Sequence, residues 1–515
     1  MKIYQSILFT FLLATLSFFA CKKDSVSSSE TLSRIPESAT GVSAINLKNL
    51  LQKADFEEVK KMEFYREMKS KASEKNPAMA EILENPMASG VDLEKKIYLF
   101  TDANPEAPEE MVTCILVPLR NASDFAKMMA ATGEEIGENG GLKFIANGRG
   151  DNYLAWNDQL AIFGMTNGKP EFLTGYVADL HKTGGDKKSI ASNKDLQKAL
   201  TGDHDFAGWF STDALLSQAG FALTMLEVEP EALKNNHIHG YADFEKGKVV
   251  GHSDFYINKD LGENFIGRFF KEEVKADFSE VLPKENLAFA AVAALDLRGI
   301  DEFLSERPQS QGMAEFMLKE YGVKRQDFVA TFGGDLLVAG FGNAEKSETN
   351  AEMLVATSVK DSKKAREFLQ KVVADGKLKE VEKDLYSIVS FGNEDFSITI
   401  NKGMGKILLK DNYLVFSKND ALLAKIKSGL PGSERAGKEV FQNFDDQTVA
   451  GWLTFDVVQK MFGESQSALF KDLKFKVNGN GADFIMQTAD PNENSLNSLF
   501  KMMNEAYKRD SEKEI

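Results

Sequence analysis

The chain reads as an α+β protein of two homologous domains, each a mainly antiparallel β-sheet packed with helices. Three observations predict this. The 515 residues exceed one ordinary core, and 43% of them are apolar, enough to fold. From Ile35 on, short runs rich in β-branched and aromatic residues interleave with segments whose apolar residues recur at helical spacing. The second half then repeats landmarks of the first in the same order.

The chain opens on an export signal. Lys2 supplies the positive start, Ile7 to Phe19 an apolar run of about a dozen residues, and Phe18-Phe19-Ala20-Cys21 a small-residue cleavage site ending in cysteine. That run is shorter than the roughly 20 apolar residues that span a bilayer. Residues 1–20 therefore read as a lipoprotein signal peptide, with Cys21 the lipidated first residue of the mature chain. Lys22-Lys23-Asp24 is similar to the short signals of lysine and acid that follow the lipid cysteine in surface-exported lipoproteins of Bacteroidota. Ser25, Ser27, Ser28, Ser29 and Ser33 then make residues 21–34 a polar tether with little to pack. Fully extended, residues 22–34 span roughly 40 Å at about 3.3 Å per residue.

The first domain, residues 35–279, is expected to open with a strand at Gly41 to Asn46 and a helix over Leu47 to Lys69. Strands follow at Ile97 to Thr101 and Met111 to Val117, then a helix at Ala122 to Ala131. Leu142 to Ala146, Tyr153 to Trp156 and Leu160 to Met165 read as strands, and Glu171 to His181 as a helix. Asp205 to Phe210 is a strand and Thr212 to Phe221 a helix. A hairpin at His237 to Ile257 and a helix from Gly262 to Lys275 close the half.

The second domain, residues 280–500, echoes this order, and residues 501–515 read as a polar tail. Ala44-Ile45-Asn46-Leu47-Lys48 returns as Ala294-Leu295-Asp296-Leu297-Arg298, and Asp158-Gln159-Leu160-Ala161-Ile162-Phe163 as Asp411-Asn412-Tyr413-Leu414-Val415-Phe416. Ala207-Gly208-Trp209-Phe210 returns as Ala450-Gly451-Trp452-Leu453. The repeat is far longer than the 20–50 residue units of a solenoid. Residues shared by both copies serve the frame both need, so Trp209 and Trp452 read as core.

Charge and cysteine narrow the partners. A net charge of −16 is the wrong sign for nucleic acid, and it leaves membrane attachment to acyl chains rather than to electrostatic docking. Of the two cysteines, Cys21 takes the lipid and Cys114, inside an apolar run, reads as a small buried hydrophobe. No intrachain disulfide follows.

The signal, the Ser-rich tether and the run from Ile35-Pro36-Glu37-Ser38-Ala39-Thr40 to Ala44-Ile45-Asn46-Leu47-Lys48 resemble the Bacteroidota lipoproteins grouped as domain of unknown function 4836. The resemblance spans nearly all of the mature chain and implies no established activity and no catalytic residues.

The sequence carries no Gly-x-Ser-x-Gly elbow, His-Glu-x-x-His, Walker loop or zinc-type cysteine pair. Asp490-x-Asn492-x-Asn494 resembles a calcium loop, but Ser495 stands where the loop needs glycine and Lys501 where it needs an acid. Asn494 or Ser495 capping a helix is the better reading. Three of the five histidines lie in one hairpin. With Lys246-Gly247 as a two-residue turn, His239 falls opposite Asp254 and Tyr241 opposite His252. Strand alternation then puts His237, His239, Tyr241, Asp243, His252, Asp254 and Tyr256 on one polar face, with Ile238, Ala242, Phe244, Val249, Phe255 and Ile257 on the other as the core side. His237, His239, His252 and Asp254 are thus candidate zinc ligands, with no counterpart in the second copy. No other cofactor and no catalytic residue is indicated. The expected function is a non-enzymatic binding or envelope-maintenance lipoprotein, its duplicated domains forming a groove for an envelope protein or polymer. The alternative is an envelope-polymer hydrolase. The expected location is the outer membrane, periplasmic or surface-exposed.

Overall fold

The computed structural model describes residues 28–104, 107–182, 188–212, 227, 229–320, 323–342, 352–389, 405–437, 440, 447–461 and 469–513. Two compact units result. The first takes residues 1–211, 237–253 and 490–515, the second residues 212–236 and 254–489.

The first unit is organised on β1 (Gly41–Ile45), β2 (Ile97–Asn104), β3 (Ala107–Pro118), β4 (Gly137–Asn139), β5 (Leu142–Ala146), β6 (Asn152–Trp156), β7 (Leu160–Thr166), β8 (Phe206–Ser211), β9 (His237–Glu245) and β10 (Lys248–Tyr256). Their order across the sheet is β10-β9-β8-β1-β2-β3-β7-β6-β5-β4, and every pairing from β9 to β4 is antiparallel. The central strands are apolar on both sides because both faces are covered. Val112, Cys114 and Leu116 of β3 enter one core with the helices Pro170–His181 and Lys194–Thr201. Ile115 and Val117, pointing the other way, enter a second core with the helices Leu47–Lys53, Glu63–Lys75 and Ala122–Ala130. Cys114 has no exposure and pairs across to Gly164, and burial pushes its thiol well above the ordinary range.

The second unit uses β11 (Leu287–Ala294), β12 (Phe332–Phe341), β13 (Glu352–Val359), β14 (Leu378–Glu382), β15 (Leu385–Ile388), β16 (Lys406–Lys410), β17 (Tyr413–Ser417), β18 (Val449–Thr454), β19 (Phe470–Asn478) and β20 (Gly481–Thr488). The antiparallel order is β20-β19-β18-β11-β12-β13-β17-β16-β15-β14. This is the order of the first unit strand for strand. Alternation again separates two cores, with Leu408 and Val415 on one side and Leu409, Leu414 and Phe416 on the other.

The expected α+β class and mainly antiparallel sheets are what the structure holds. Several details differ. The helix expected over Leu47 to Lys69 is three, Leu47–Lys53, Phe56–Lys61 and Glu63–Lys75, broken where Asp55 turns left-handed at φ 50 and Met62 extends. The helix expected to Lys275 stops at Phe269, because Phe270 bridges to Leu295 and Lys271 N–H donates to the Ala294 carbonyl. The helix expected at Thr212 to Phe221 lies almost wholly outside the described residues. The tether ends early: Ser28–Leu32 is helical, and Thr31, Leu32 and Ile35 are fully buried. The polar tail is instead most of a helix, Ser495–Lys513, whose Leu496 and Phe500 pack into the core of the first unit. The units do not follow the sequence halves either, since residues 254–279 belong to the second and 490–515 to the first.

Candidate functional site

The hairpin forms as its turn chemistry requires. β9 ends at Glu245 and β10 starts at Lys248, with Gly247 at φ 72 in the turn between them. A Cβ on Gly240 would lie 2.2 Å from the His252 carbonyl, so only glycine allows this approach. Rings line one face: Trp209 to His237 at 5.9 Å between centroids, His237 to His239 at 6.5 Å, and Tyr241 to His252 at 5.7 Å.

Two expectations need correction. Pairing with β8 places His239 opposite Trp209 and Tyr241 opposite Ala207, so the ring-bearing face continues the buried side of the sheet, with Tyr241 packed on the core. The other face carries Phe206 against Phe244, and Phe210, which is 52% exposed. The zinc site does not assemble. Among the described residues no group of three or more His, Cys, Asp or Glu is placed to hold a metal. Zinc draws nitrogen donors to about 2.0–2.1 Å of one point. Here His237 lies beside Trp209, and the ring facing His252 is Tyr241. Cys21 lies outside the described residues.

A polar cluster of the first unit is one the sequence reading passed over. It forms where the loop at residues 202–205 enters β8. The His204 ring stacks on Tyr241 at 3.6 Å between centroids, and its Nδ1 is 2.7 Å from Asp243 Oδ2. The other Asp243 oxygen accepts the Asp205 N–H at 2.9 Å. Asp205, with no exposure, accepts from Lys53 Nζ and from the Phe244 N–H, each at 2.7 Å, on a single oxygen. Its other oxygen is buried without a hydrogen bond. Burial therefore pushes the Asp205 carboxyl upward, against the lowering pull of Lys53 and the Phe244 N–H. Asp203 receives the side-chain amides of Asn46 and Asn49 at 3.1 and 3.0 Å. Lys96 donates to the carbonyls of Leu200 and Gly202, and burial lowers its pKa against three nearby aspartates.

Chemically, a carboxylate on Nδ1 fixes the imidazole's tautomer and orientation, leaving Nε2 to exchange protons or bind. Asp243 already stood on the hairpin's polar face. His204 was missed because its partner lies 39 residues on and is delivered by strand pairing. The sequence signal available was an adjacent His-Asp at the start of a strand. At the far end of the chain, Asn494 Oδ1 accepts the Leu496 N–H at 3.0 Å, which is the expected helix cap.

The topology and site define an antiparallel α+β protein built on one strand order used twice. The chain belongs to the family described as Domain of unknown function (DUF4836), whose model matches residues 33–439. No curated protein matches. Among solved structures, crystal forms I and III of TP0453 are similar at 9% identity and a TM-score of 0.27. They cover 46% and 48% of this chain and 81% and 89% of their own. Among the described residues no helix is long and apolar enough to cross a membrane.

Proposed function

We propose that the chain is a non-enzymatic binding or envelope-maintenance lipoprotein of the outer membrane, periplasmic or surface-exposed, held by lipid on Cys21. It arose by duplication, with the copies meeting near residue 280, and its partner is an envelope protein or polymer. The observation that carries this reading is the repeated strand order. At positions matched by the Ala207-Gly208-Trp209 and Ala450-Gly451-Trp452 echo, His204 and Asp205 become Gln447 and Thr448. A frame kept while its polar residues change suits a scaffold that presents surfaces, and it suits a duplicated active site poorly.

The hydrolase alternative draws on one observation, the His204 to Asp243 pair. Cross-linking in intact cells, recovery of the lipoprotein and identification of what accompanies it test the binding reading, alongside assays of the soluble chain on envelope glycans. A specific partner without turnover supports it. Turnover that disappears in His204→Ala, with no stable partner, overturns it in favour of the hydrolase. The anchor is tested separately: Cys21→Ala should move the protein out of the membrane fraction, and unchanged fractionation would sink lipidation.

A further inference from the structure

At one corner of the second unit the end of β11, the start of β12 and the end of β13 meet the first turns of two helices, Leu297–Ser305 and Ser362–Ala374. Backbone bonds assemble the corner: Leu295 N–H donates to the Gly334 carbonyl at 3.0 Å, and Lys360 N–H to the Thr331 carbonyl at 2.8 Å. Only glycine serves at 334, where φ is 94 and a Cβ would lie 2.1 Å from the Leu295 carbonyl oxygen. Lys271 Nζ reaches in to donate to the Gly333 carbonyl at 3.1 Å and to Asp335 at 2.6 Å, and Asp335 N–H donates to Ser358 Oγ at 3.2 Å.

The cations of this corner exceed what its acids neutralise. Asp335 is buried on Lys271. Asp296 spends an oxygen on the N–H groups of Arg298 and Gly299, and Asp361 on those of Lys363 and Lys364. Arg298, Lys360 and Lys364 are exposed and have no carboxylate at ion-pair distance among the described residues; Lys360 Nζ donates to the Val329 carbonyl at 2.8 Å. Desolvation, then Arg298 and Lys271, with Lys364 behind them, lower the Lys360 pKa, and Asp296 pulls the other way. The four cations therefore act on one another at a single surface. Fold stability does not call for this. Arg298 and Lys364 stand in first turns, at the positive ends of helix dipoles, where a cation is disfavoured. In the first unit, whose strand order is the same, Lys48 in the first turn after β1 pairs with Glu94 at 2.6 Å, and the third residue past the Asn121 cap is Asp124 rather than lysine. The frame forms there with the charges cancelled or reversed, so the surplus in the second unit answers to something outside the chain.

We propose that this corner binds a phosphate-class oxyanion, with Arg298, Lys360 and Lys364 donating to it. A guanidinium forks two oxygens and each ammonium takes another, which suits a tetrahedral phosphate better than a two-oxygen carboxylate. The site adds a ligand class to the binding reading above and does not depend on lipid at Cys21. The test titrates inorganic phosphate into the chain from residue 21 onward, carrying Cys21→Ala and so keeping every described residue, with chloride at matched low ionic strength as the blank. Calorimetry should show saturable binding that is weakened about tenfold or more in Arg298→Gln/Lys364→Gln. Binding should be unchanged in Lys194→Gln/Lys198→Gln, whose exposed lysines lie on the first unit. Phosphate should raise the melting temperature of the parent and not of the corner variant. Without phosphate the corner variant should melt no lower than the parent, because removing like charges relieves repulsion. No saturable binding, or equal affinity in the parent and the corner variant, overturns the site. A corner variant that melts lower without phosphate makes the cations structural and overturns it too. Vesicles of phosphatidylcholine with phosphatidylglycerol separate the sources. Recruitment of this unlipidated chain that inorganic phosphate reverses assigns the oxyanion to a lipid headgroup, and phosphate binding without recruitment assigns it to a phosphate carried elsewhere.

Discussion

Asp205 keeps one carboxylate oxygen on Lys53 and the Phe244 N–H and has the other buried without a hydrogen bond, so it is held and penalised at once. Asp205→Ala strands the Lys53 ammonium and the Phe244 N–H together, and should cost about 3 kcal/mol in urea unfolding. Asp205→Asn keeps an acceptor without burying charge and should cost about 1 kcal/mol or less. An equal loss in both would refute the claim that charge burial works against the site. His181 gives a pH signature. It is 8% exposed with Nε2 3.1 Å from the Ala155 carbonyl, and burial lowers its pKa to about 4. Between its unfolded value near 6.5 and the folded value, the unfolded chain binds more protons, so stability is lost as pH falls through that window. The full loss approaches about 3 kcal/mol at about 1.4 kcal/mol per pKa unit. His181→Gln should flatten the stability slope between pH 7 and pH 4; an unchanged slope would assign the acid sensitivity elsewhere. At this scale the sequence disclosed what local rules govern. The hairpin register followed from a two-residue turn, and the Asn494 cap from its place before an apolar run. His204 and Asp205 meet Asp243 and Lys53 only through long-range pairing, and no local rule reaches that.

The helix Glu63–Lys75 begins without a cap of its own, since Met62 offers no side-chain acceptor. Asn504, on the helix Ser495–Lys513, supplies one: its Oδ1 accepts the N–H groups of Glu63 and Phe64 at 2.8 and 3.3 Å. Tyr507 hydroxyl donates to Glu67 one turn further along. Asn504→Ala should cost about 1–2 kcal/mol, the range of a lost N-cap, and thermal unfolding with Asn504→Asp as the acceptor-retaining control measures it. No loss, or equal loss in both variants, would make the contact incidental. This helix was read as a polar tail because Lys501, Asn504, Glu505, Lys508 and Arg509 dominate residues 501–515. Its apolar side is narrow, and its buried Asn504 looks from sequence like any surface amide. The break at Asp55 was invisible for the opposite reason. No glycine or proline marks it, and the helical spacing continues across it. The amphipathic helix Lys194–Thr201 did carry a start signal, Asn193, whose side chain accepts from Asp195 and Leu196 N–H groups.

Across the whole molecule, the same ten-strand order appears in both units, and each unit draws on both halves of the sequence. The first is completed by residues 490–515, the second by residues 212–236 and 254–279. The shared strand order was legible because echoes such as Ala207-Gly208-Trp209 with Ala450-Gly451-Trp452 fall on strands of the same place in the order, β8 and β18. The assignment of closing segments was not, because a repeated sequence is equally consistent with either partner. Neither half of the sequence should therefore be an autonomous domain. Hydrogen exchange on the full chain and on a chain ending at Ala489 tests this most directly. Truncation should strip protection from the helices Leu47–Lys53 and Glu63–Lys75 while β11, β12 and β13 keep theirs. Unchanged protection in those two helices, or loss centred on β11 to β13, would contradict it.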